Sequence, residues 1–189
     1  MNQTLVISLK PYLQEYCRHR WGDELTSRKN PVGLFIQKCI SYTPQNTMLK
    51  PMPQGTDRFE IALMQNHGYE VRRGNAWMTP ENQADLARMI YQMFRHDFNN
   101  YLDDRCRLLP NSSEASIKNL IIQFMIDFGL SPQSIEYDTL KKSWWRHRKR
   151  KEEIAQAKKK MKNFDDNMSL FCPLIFTNHA YEPLYTAQH

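Results

Sequence analysis

Residues 79–108 have the sequence TPENQADLARMIYQMFRHDFNNYLDDRCRL and predict one long amphipathic helix. Thr79 is a favourable N-cap, Pro80 suits the first helical position, and Glu81 complements the positive end of the helix dipole. Apolar side chains then recur at the spacing of a single helical face. They are Leu86, Met89, Ile90, Met93, Phe94, Tyr101 and Leu102. We expect this face to be buried and the rest of the fold to pack against it.

The segment before this helix mixes strand and helix patterns. Residues 4–9 alternate as a strand does, and residues 59–78 predict a β-hairpin or small meander. Apolar spacing predicts short helices over residues 10–21 and after Asn30-Pro31. Residues 41–55 contain three prolines among polar residues and predict a loop. Together these patterns predict a small antiparallel sheet packed with helices.

The segment after this helix is predicted to be mainly helical. An apolar face recurs between Ile117 and Phe128, and Ile122 and Ile126 widen it, so we expect that helix to be buried on most sides. Gly129 is a typical helix end. Asp138 is a favourable cap for a last, long helix.

The fold class that follows is α+β and helix-dominated, with a helical C-terminal unit that ends in a long basic helix. We predict three regions. They are an α+β body over residues 1–110, a helical unit similar to nucleic-acid-binding domains over residues 111–162, and an irregular tail over residues 163–189. The tail holds aromatic residues and two prolines without a clear period, as an arm packed on the body or on a partner would.

Positive charge is concentrated in residues 141–162. Eleven Lys or Arg stand there against two Glu, a net charge of +9; the whole chain of 189 residues has +6, so the remainder has −3. Basic residues from Arg146 to Lys151 lie on every side of a helix, and burying unpaired cations is too costly for such a helix to be core. It is either a solvated extension or a surface that binds a polyanion. The shortage of acidic partners favours a polyanion.

The predicted function is non-enzymatic nucleic-acid binding, with duplex DNA favoured over RNA because a cationic helix fits the major groove. Most contacts would be to phosphates, which position a protein without reading sequence, and Arg146 or Arg150 is the best candidate for a base contact. Trp144, in line with Leu140, is expected to be buried, whereas a half-exposed Trp145 could stack on a base. The candidate binding residues are Lys141, Lys142, Trp145, Arg146, Arg148, Lys149, Arg150, Lys151, Arg72 and Arg73.

Three further patterns bear on this function. Arg72 and Arg73 lie beside a predicted hairpin turn, whose tip is either solvated or a wing that touches a phosphate backbone. An apolar helix, a turn that begins at Gly129 and a basic helix have the order of a helix-turn-helix, although the connection is longer than in the compact motif. The run YDTLKKSWWRHRK at residues 137–149 resembles small proteins of bacterial mobile elements. That resemblance implies a DNA-associated or regulatory role and carries over no functional residue.

Two other classes of function stay open. The basic helix and the aromatic tail could form an assembly surface for a protein partner, and a homo-oligomer is one such assembly. Asp97 and Asp104 share a helical face and allow a metal-dependent nuclease as a lesser alternative. The common phosphate-loop, dinucleotide, serine-hydrolase and zinc-protease motifs do not occur, and Cys and His residues are scattered singly. We therefore predict no catalytic residue, no metal and no cofactor.

Cysteine usage and hydropathy bear on the compartment. The four cysteines are widely spread without a CxxC pair, which indicates free thiols in a reducing compartment. There is no secretory signal pattern and no apolar run near the roughly 18–20 residues that span a bilayer. We expect a cytoplasmic protein without a membrane partner.

Overall fold

The structure, a computed structural model, describes residues 3–43, 57–69, 75–108 and 114–171, and for residues 164–171 only the backbone. The helices within these ranges are α1 Pro11–Arg20, α2 Pro31–Cys39, α3 Pro80–Leu108, α4 Glu114–Asp127 and α5 Tyr137–Phe171. The strands are β1 Gln3–Ser8, β2 Ser41–Thr43, β3 Arg58–Leu63 and β4 Asn75–Trp77. The predicted α+β, helix-dominated fold is confirmed.

The chain divides into two compact units, Met1–Ser143 and Trp144–His189, and the division falls within α5. The scheme predicted from the sequence has its boundaries after residues 110 and 162 instead. Within the first unit α4 contacts α3, so the helical segment after residue 110 packs on the α+β body.

The helix ends follow local signals in the sequence. Asn30 Oδ1 accepts a hydrogen bond from the amide of Gly33 at 2.7 Å and caps α2. Thr79 Oγ1 accepts one from the amide of Asn82 at 3.3 Å at the start of α3. Gly129 follows α4 with a φ of 62°, a left-handed conformation that glycine adopts without strain. These caps satisfy backbone groups that have no partner within the helix.

The described residues form two two-stranded antiparallel sheets, whereas the sequence predicts a single small sheet. Strand β1 pairs with β3 as expected, with Leu5 opposite Ile61. Strand β4 pairs with β2, which places Trp77 opposite Ser41. The first three residues of the loop predicted over residues 41–55 are therefore a strand instead. The first strand of the hairpin or meander predicted over residues 59–78 is present as β3, and residues 70–74, which hold the predicted turn beside Arg73, lie outside the described residues. Three-residue strands that pair across a long stretch of chain leave no local pattern in the sequence.

Helix α3 is the centre of the core of the first unit and contacts α1, α2, α4 and β1. Its buried side chains recur every fourth residue: Leu86, Ile90, Phe94, Phe98 and Leu102. The predicted buried face is confirmed in position, with Met89, Met93 and Tyr101 half-buried at its edges. Phe98, absent from the sequence-based prediction, is only 1% exposed.

An aromatic cluster joins α1, α3 and α4. The ring centroids of Phe98 and Phe124 are 4.9 Å apart, and those of Phe94 and Phe124 are 5.9 Å apart. Tyr16 meets Phe94 at 5.4 Å. All three pairs are edge-to-face, the arrangement that the ring quadrupoles favour. The cluster therefore stabilises the packing of three helices at one place.

Polar contacts tie α1 to α3 and to the chain before α5. The Tyr16 hydroxyl donates to Asp97 Oδ2 at 2.5 Å, and the Arg20 guanidinium pairs with the same carboxylate. Burial, reinforced by the hydrogen bond to Asp97, raises the pKa of Tyr16. Glu15 Oε2 accepts a hydrogen bond from the amide of Ser131 at 2.9 Å. These contacts link segments that are far apart in the sequence.

The described cysteines carry free thiols, as the sequence predicts for Cys17, Cys39 and Cys106. Cys17 lies in the core, and this burial raises the pKa of its thiol to about 12. Its thiol stays protonated near neutral pH and is therefore a poor nucleophile.

Helix α4 is less buried than the sequence predicts. Ile117 and Ile121 are buried, but Ile122 is 39% exposed and Ile126 is 66% exposed. Successive helical side chains point about 100° apart, so a neighbour that covers Ile121 leaves Ile122 uncovered. Apolar residues on more than one face of a helix therefore do not require that every face be buried.

Helix α5 continues past the predicted end of the basic helix, to Phe171. The tail predicted to be irregular from residue 163 is helical as far as residue 171, and residues 172–189 lie outside the described part of the chain. Between Tyr137 and Phe171 there is no proline or glycine, the residues that most often interrupt a helix. Over the ranges that the structure describes, every helix is too short or too polar to cross a bilayer.

Candidate nucleic-acid interface

Helix α5 presents its positive charge on an open surface. We call residues 141–151 the basic segment. Its seven cations are Lys141, Lys142, Arg146, Arg148, Lys149, Arg150 and Lys151, and it contains no Asp or Glu. Every side chain from Lys149 to Asn163 is exposed. At a rise of 1.5 Å per residue these positions extend over about 22 Å of helix that a partner can reach from any side.

Helical geometry sorts the cations of the basic segment by direction. Trp144 is 1% exposed and marks the covered side of the helix. With about 100° between successive residues, Lys142, Arg146, Lys149 and Arg150 point within roughly 60° of the opposite direction. Lys142 belongs to the first unit, and we call the other three the outward cations. All three are exposed, and none forms an ion pair with another described residue.

Arg148 differs from the outward cations because it has partners on its own helix. Its Nη2 lies 3.8 Å from Glu152 Oε1, and its Cζ lies 5.4 Å from the ring centroid of Trp145. Trp145 is 42% exposed, which confirms the half-exposed indole expected from the sequence. A base that stacked on Trp145 would therefore share the ring with Arg148.

Trp144 is the large buried side chain of this part of α5. Its burial confirms the prediction, and its ring stacks on His147 with centroids 5.5 Å apart. The indole Nε1 is buried without a hydrogen-bond partner among the described residues. The outward cations point away from this buried ring because of their spacing on the same helix.

Like charges repel one another along the basic segment. Arg146 lies four residues after Lys142, three before Lys149 and four before Arg150, and these are spacings at which helical side chains are neighbours. Each such like-charge pair disfavours the helix by about 0.2–0.5 kcal/mol. Mobile counterions relieve part of this repulsion, and a fixed array of phosphates would relieve more of it.

Among the other predicted binding residues, the structure describes Lys141 and Lys142 but not Arg72 or Arg73. Lys141 is half-buried and Lys142 is exposed, both near the start of α5 within the first unit. Arg72 and Arg73 lie outside the described residues, so their predicted contact with a phosphate backbone stays a prediction. Helices α4 and α5 are joined by residues 128–136, a longer connection than the turn of about three or four residues in a compact helix-turn-helix.

Asp97, the first carboxylate of the nuclease alternative, already has partners. It accepts a hydrogen bond from Tyr16 and pairs with Arg20. Asp104 Oδ1 lies 4.0 Å from Arg107 Nη1. Among the residues that the structure describes, no three His, Cys, Asp or Glu side chains form a group that could hold a metal ion. The nuclease alternative therefore receives no geometric support.

A hydroxyl–imidazole–carboxylate arrangement that the sequence does not predict lies in the first unit. Thr26 Oγ1 is 2.8 Å from His67 Nδ1, and His67 Nε2 is 3.6 Å from Glu24 Oε2. Thr26 is 1% exposed, so a substrate cannot reach its hydroxyl, and the contact is best explained as a satisfied buried histidine. No sequence signal connects residues 26 and 67, because only the fold brings them together.

Comparisons with protein-family models, with curated proteins and with solved structures find no match for the chain.

Proposed function

We propose that the protein binds nucleic acid, duplex DNA in preference to RNA, through the basic segment of α5, and that it does so without catalysis. The supporting observation is the direction of the outward cations, Arg146, Lys149 and Arg150, away from the buried Trp144 on an exposed helix. Bound phosphates would replace mutual repulsion by charge-assisted hydrogen bonds and would release counterions from the nucleic acid.

The dimensions of an exposed helix favour DNA over RNA. A helix with its side chains is about 10–12 Å wide, and the major groove of B-form DNA is about 12 Å wide. The major groove of A-form RNA is deep and narrow, and side chains do not read it. Phosphates would take most of the contacts. Of the two arginines among the outward cations, Arg146 points closer to the direction opposite Trp144 and is the first candidate for the groove floor, with Arg150 second.

The test is binding of the full chain to fluorescently labelled duplex DNA, duplex RNA and single-stranded DNA across a salt series. The variant is Arg146→Ala, Lys149→Ala and Arg150→Ala together. Alanine favours helix, so the substitutions remove charge without disrupting α5. We expect wild type to prefer duplex DNA. We expect the variant to lose at least about tenfold in affinity. It should also lower the salt slope by about 2, one for each of the two outward cations that would contact phosphates when Arg146 reaches the groove floor.

The matched control lowers the net charge by the same amount elsewhere on the same helix, as Lys159→Glu with Lys162→Ala. These side chains are exposed like the outward cations but lie beyond Glu152 and Glu153. Affinity within about threefold of wild type would assign binding to the basic segment rather than to net charge. An equal loss in both variants, or no binding by wild type at low salt, would contradict the proposal.

A further inference from the structure

The second half of α5 exposes apolar side chains at a regular spacing. Ile154 is 51% exposed and Met161 is 68% exposed, seven residues apart on a helix whose side chains are all exposed from Lys149 to Asn163. Ala157 lies between them, three residues after Ile154 and four before Met161. Single exposed apolar residues are ordinary, but alternating intervals of three and four residues are the spacing of a coiled-coil seam.

The backbone and the sequence extend this spacing to the end of the described helix. Helix α5 reaches Phe171, and the sequence has Phe164, Met168 and Phe171 at the next three positions of the same heptad. Towards the N-terminus the spacing stops at Ile154, since the two preceding heptad positions are Arg150 and His147. We call Ile154, Ala157, Met161 and the three positions that follow them the heptad seam.

The charge pattern changes where the heptad seam begins. Residues 152–166 hold four Lys, at positions 158, 159, 160 and 162, against Glu152, Glu153, Asp165 and Asp166, a net charge of zero. The basic segment directly before them carries seven cations and no acid. The like-charge repulsion that opposes close approach of two such helices is therefore concentrated outside the apolar part.

We propose that two copies of this chain associate through the heptad seam as a parallel two-stranded coiled coil. Charge complementarity identifies the occupant as a second copy. In a parallel pair, the residue directly before Ile154 or Met161 faces the residue five positions further along the partner helix. That rule places Glu153 opposite Lys158 of the other copy, and the sequence places Asp165 five residues after Lys160. Opposite charges thus meet twice on each side of the seam.

An antiparallel pair with the same overlap forms fewer pairs of opposite charge across the interface. It places Lys158 opposite Asp165, and it leaves Glu153 without a basic residue across the interface. Glu153 therefore distinguishes the two orientations. It is exposed, so substituting it does not disturb a core.

The first experiment is sedimentation equilibrium of the full chain, free of nucleic acid, at low and at high salt. Because the seam covers only roughly two and a half heptads, we expect reversible dimers with a dissociation constant on the order of 100 µM. Ile154→Asp with Met161→Asp should weaken association at least tenfold. The matched control, Gln156→Asp with Asn163→Asp, adds the same charge to the same helix away from the seam and should associate as wild type does.

Charge reversal tests the orientation. In the parallel pair, Glu153→Lys and Lys158→Glu should each weaken association, by about threefold, and the double variant should recover it. Failure of the double variant to recover would overturn the parallel pairing. A wild type that stays monomeric at about 1 mM, or a seam variant no weaker than its control, would overturn the pairing altogether.

Self-association and nucleic-acid binding respond to salt in opposite directions, so each can fail alone. Salt screens both the repulsion between two basic segments, of seven cations each, and the four ion pairs beside the seam. The repulsion involves more charges, so salt should strengthen the dimer. The same salt should weaken binding to a polyanion. Ile154→Asp with Met161→Asp leaves the outward cations unchanged. The outward-cation variant removes repulsion beside the heptad seam, so it should strengthen the dimer while it weakens binding to a polyanion. The pairing therefore stands or falls independently of the proposed function.

Discussion

Helices α3 and α5 are the two long helices of the described chain, of 29 and 35 residues, and they differ in where their apolar residues lie. Along α3 a buried side chain recurs at every fourth position from Leu86 to Leu102. Along α5 no side chain from Lys149 to Asn163 is buried. Length alone therefore does not indicate packing. The broad apolar face of α3 packs in the core of the first unit, whereas the narrow heptad seam of α5 is exposed at Ile154 and Met161.

The two helices also depend on different sources of stability. Burial of large side chains against α1, α2, α4 and β1 stabilises α3. The exposed part of α5 depends on intrinsic helix propensity and on charges spaced along one helix, which contribute only tenths of a kcal/mol each. The variants below test this difference, from the largest effect to the smallest.

Truncating a core ring of α3 should give the largest loss. Phe98 is 1% exposed and meets Phe124 at 4.9 Å, so Phe98→Ala removes buried surface and leaves a cavity. We expect the free energy of unfolding to fall by about 3–5 kcal/mol in a urea titration. Ile154→Ala on α5 should change it by less than about 0.5 kcal/mol. If the Phe98→Ala variant does not fold, Phe98→Leu should show a smaller decrease in the free energy of unfolding. Equal effects at positions 98 and 154 would contradict the difference between α3 and α5.

Removing one hydroxyl that anchors α3 should have an intermediate effect. Tyr16→Phe deletes the hydrogen bond to Asp97 and should lower the free energy of unfolding by about 1 kcal/mol near neutral pH. Burial, together with that hydrogen bond, raises the pKa of Tyr16, so its contribution is present below the unfolded pKa of about 10 and is lost as pH rises above it.

The measurement is urea unfolding from pH 7 to pH 11, with Tyr137→Phe at the start of α5 as the control. Wild type and Tyr137→Phe should lose stability above about pH 10, and Tyr16→Phe should lose less. An unchanged alkaline slope in Tyr16→Phe would show that another group causes the loss.

Reversing one charge of the basic segment should have the smallest effect on stability, with the opposite sign. Arg146→Glu converts three repulsive neighbours, Lys142, Lys149 and Arg150, into attractive ones. Each pair should then favour the helix by about 0.2–0.5 kcal/mol, seen as slower amide hydrogen exchange in this part of α5. The same variant should bind duplex DNA more weakly. Faster exchange would contradict the repulsion described above.

The parts of the fold that the sequence predicts are those set by local spacing. The buried face of α3, the caps at Asn30 and Thr79, and the different burial of Trp144 and Trp145 all follow from neighbours within about four residues. The pairing of β2 with β4 does not, because short strands carry too few side chains to specify a distant partner.

The candidate site divides in the same way. The charge of the basic segment is evident from composition, and its exposure follows because unpaired cations cannot be buried. Which cations already have partners is a property of the fold: Arg148 lies by Trp145 and Glu152. The contact of Asp97 with Tyr16 could not be predicted either, since the two residues are 81 positions apart.

Helix α5 runs without a break from the outward cations to the end of the heptad seam, and one backbone therefore sets the phase between them. A helix transmits torsion, so a rotation that a partner imposes at Met161 would also rotate Lys149 about the helix axis. One inserted residue between them would rotate one surface against the other by about 100° while leaving the composition of both unchanged. The spacing of residues along α5, as much as their chemistry, then determines which way the outward cations point when the heptad seam binds a partner.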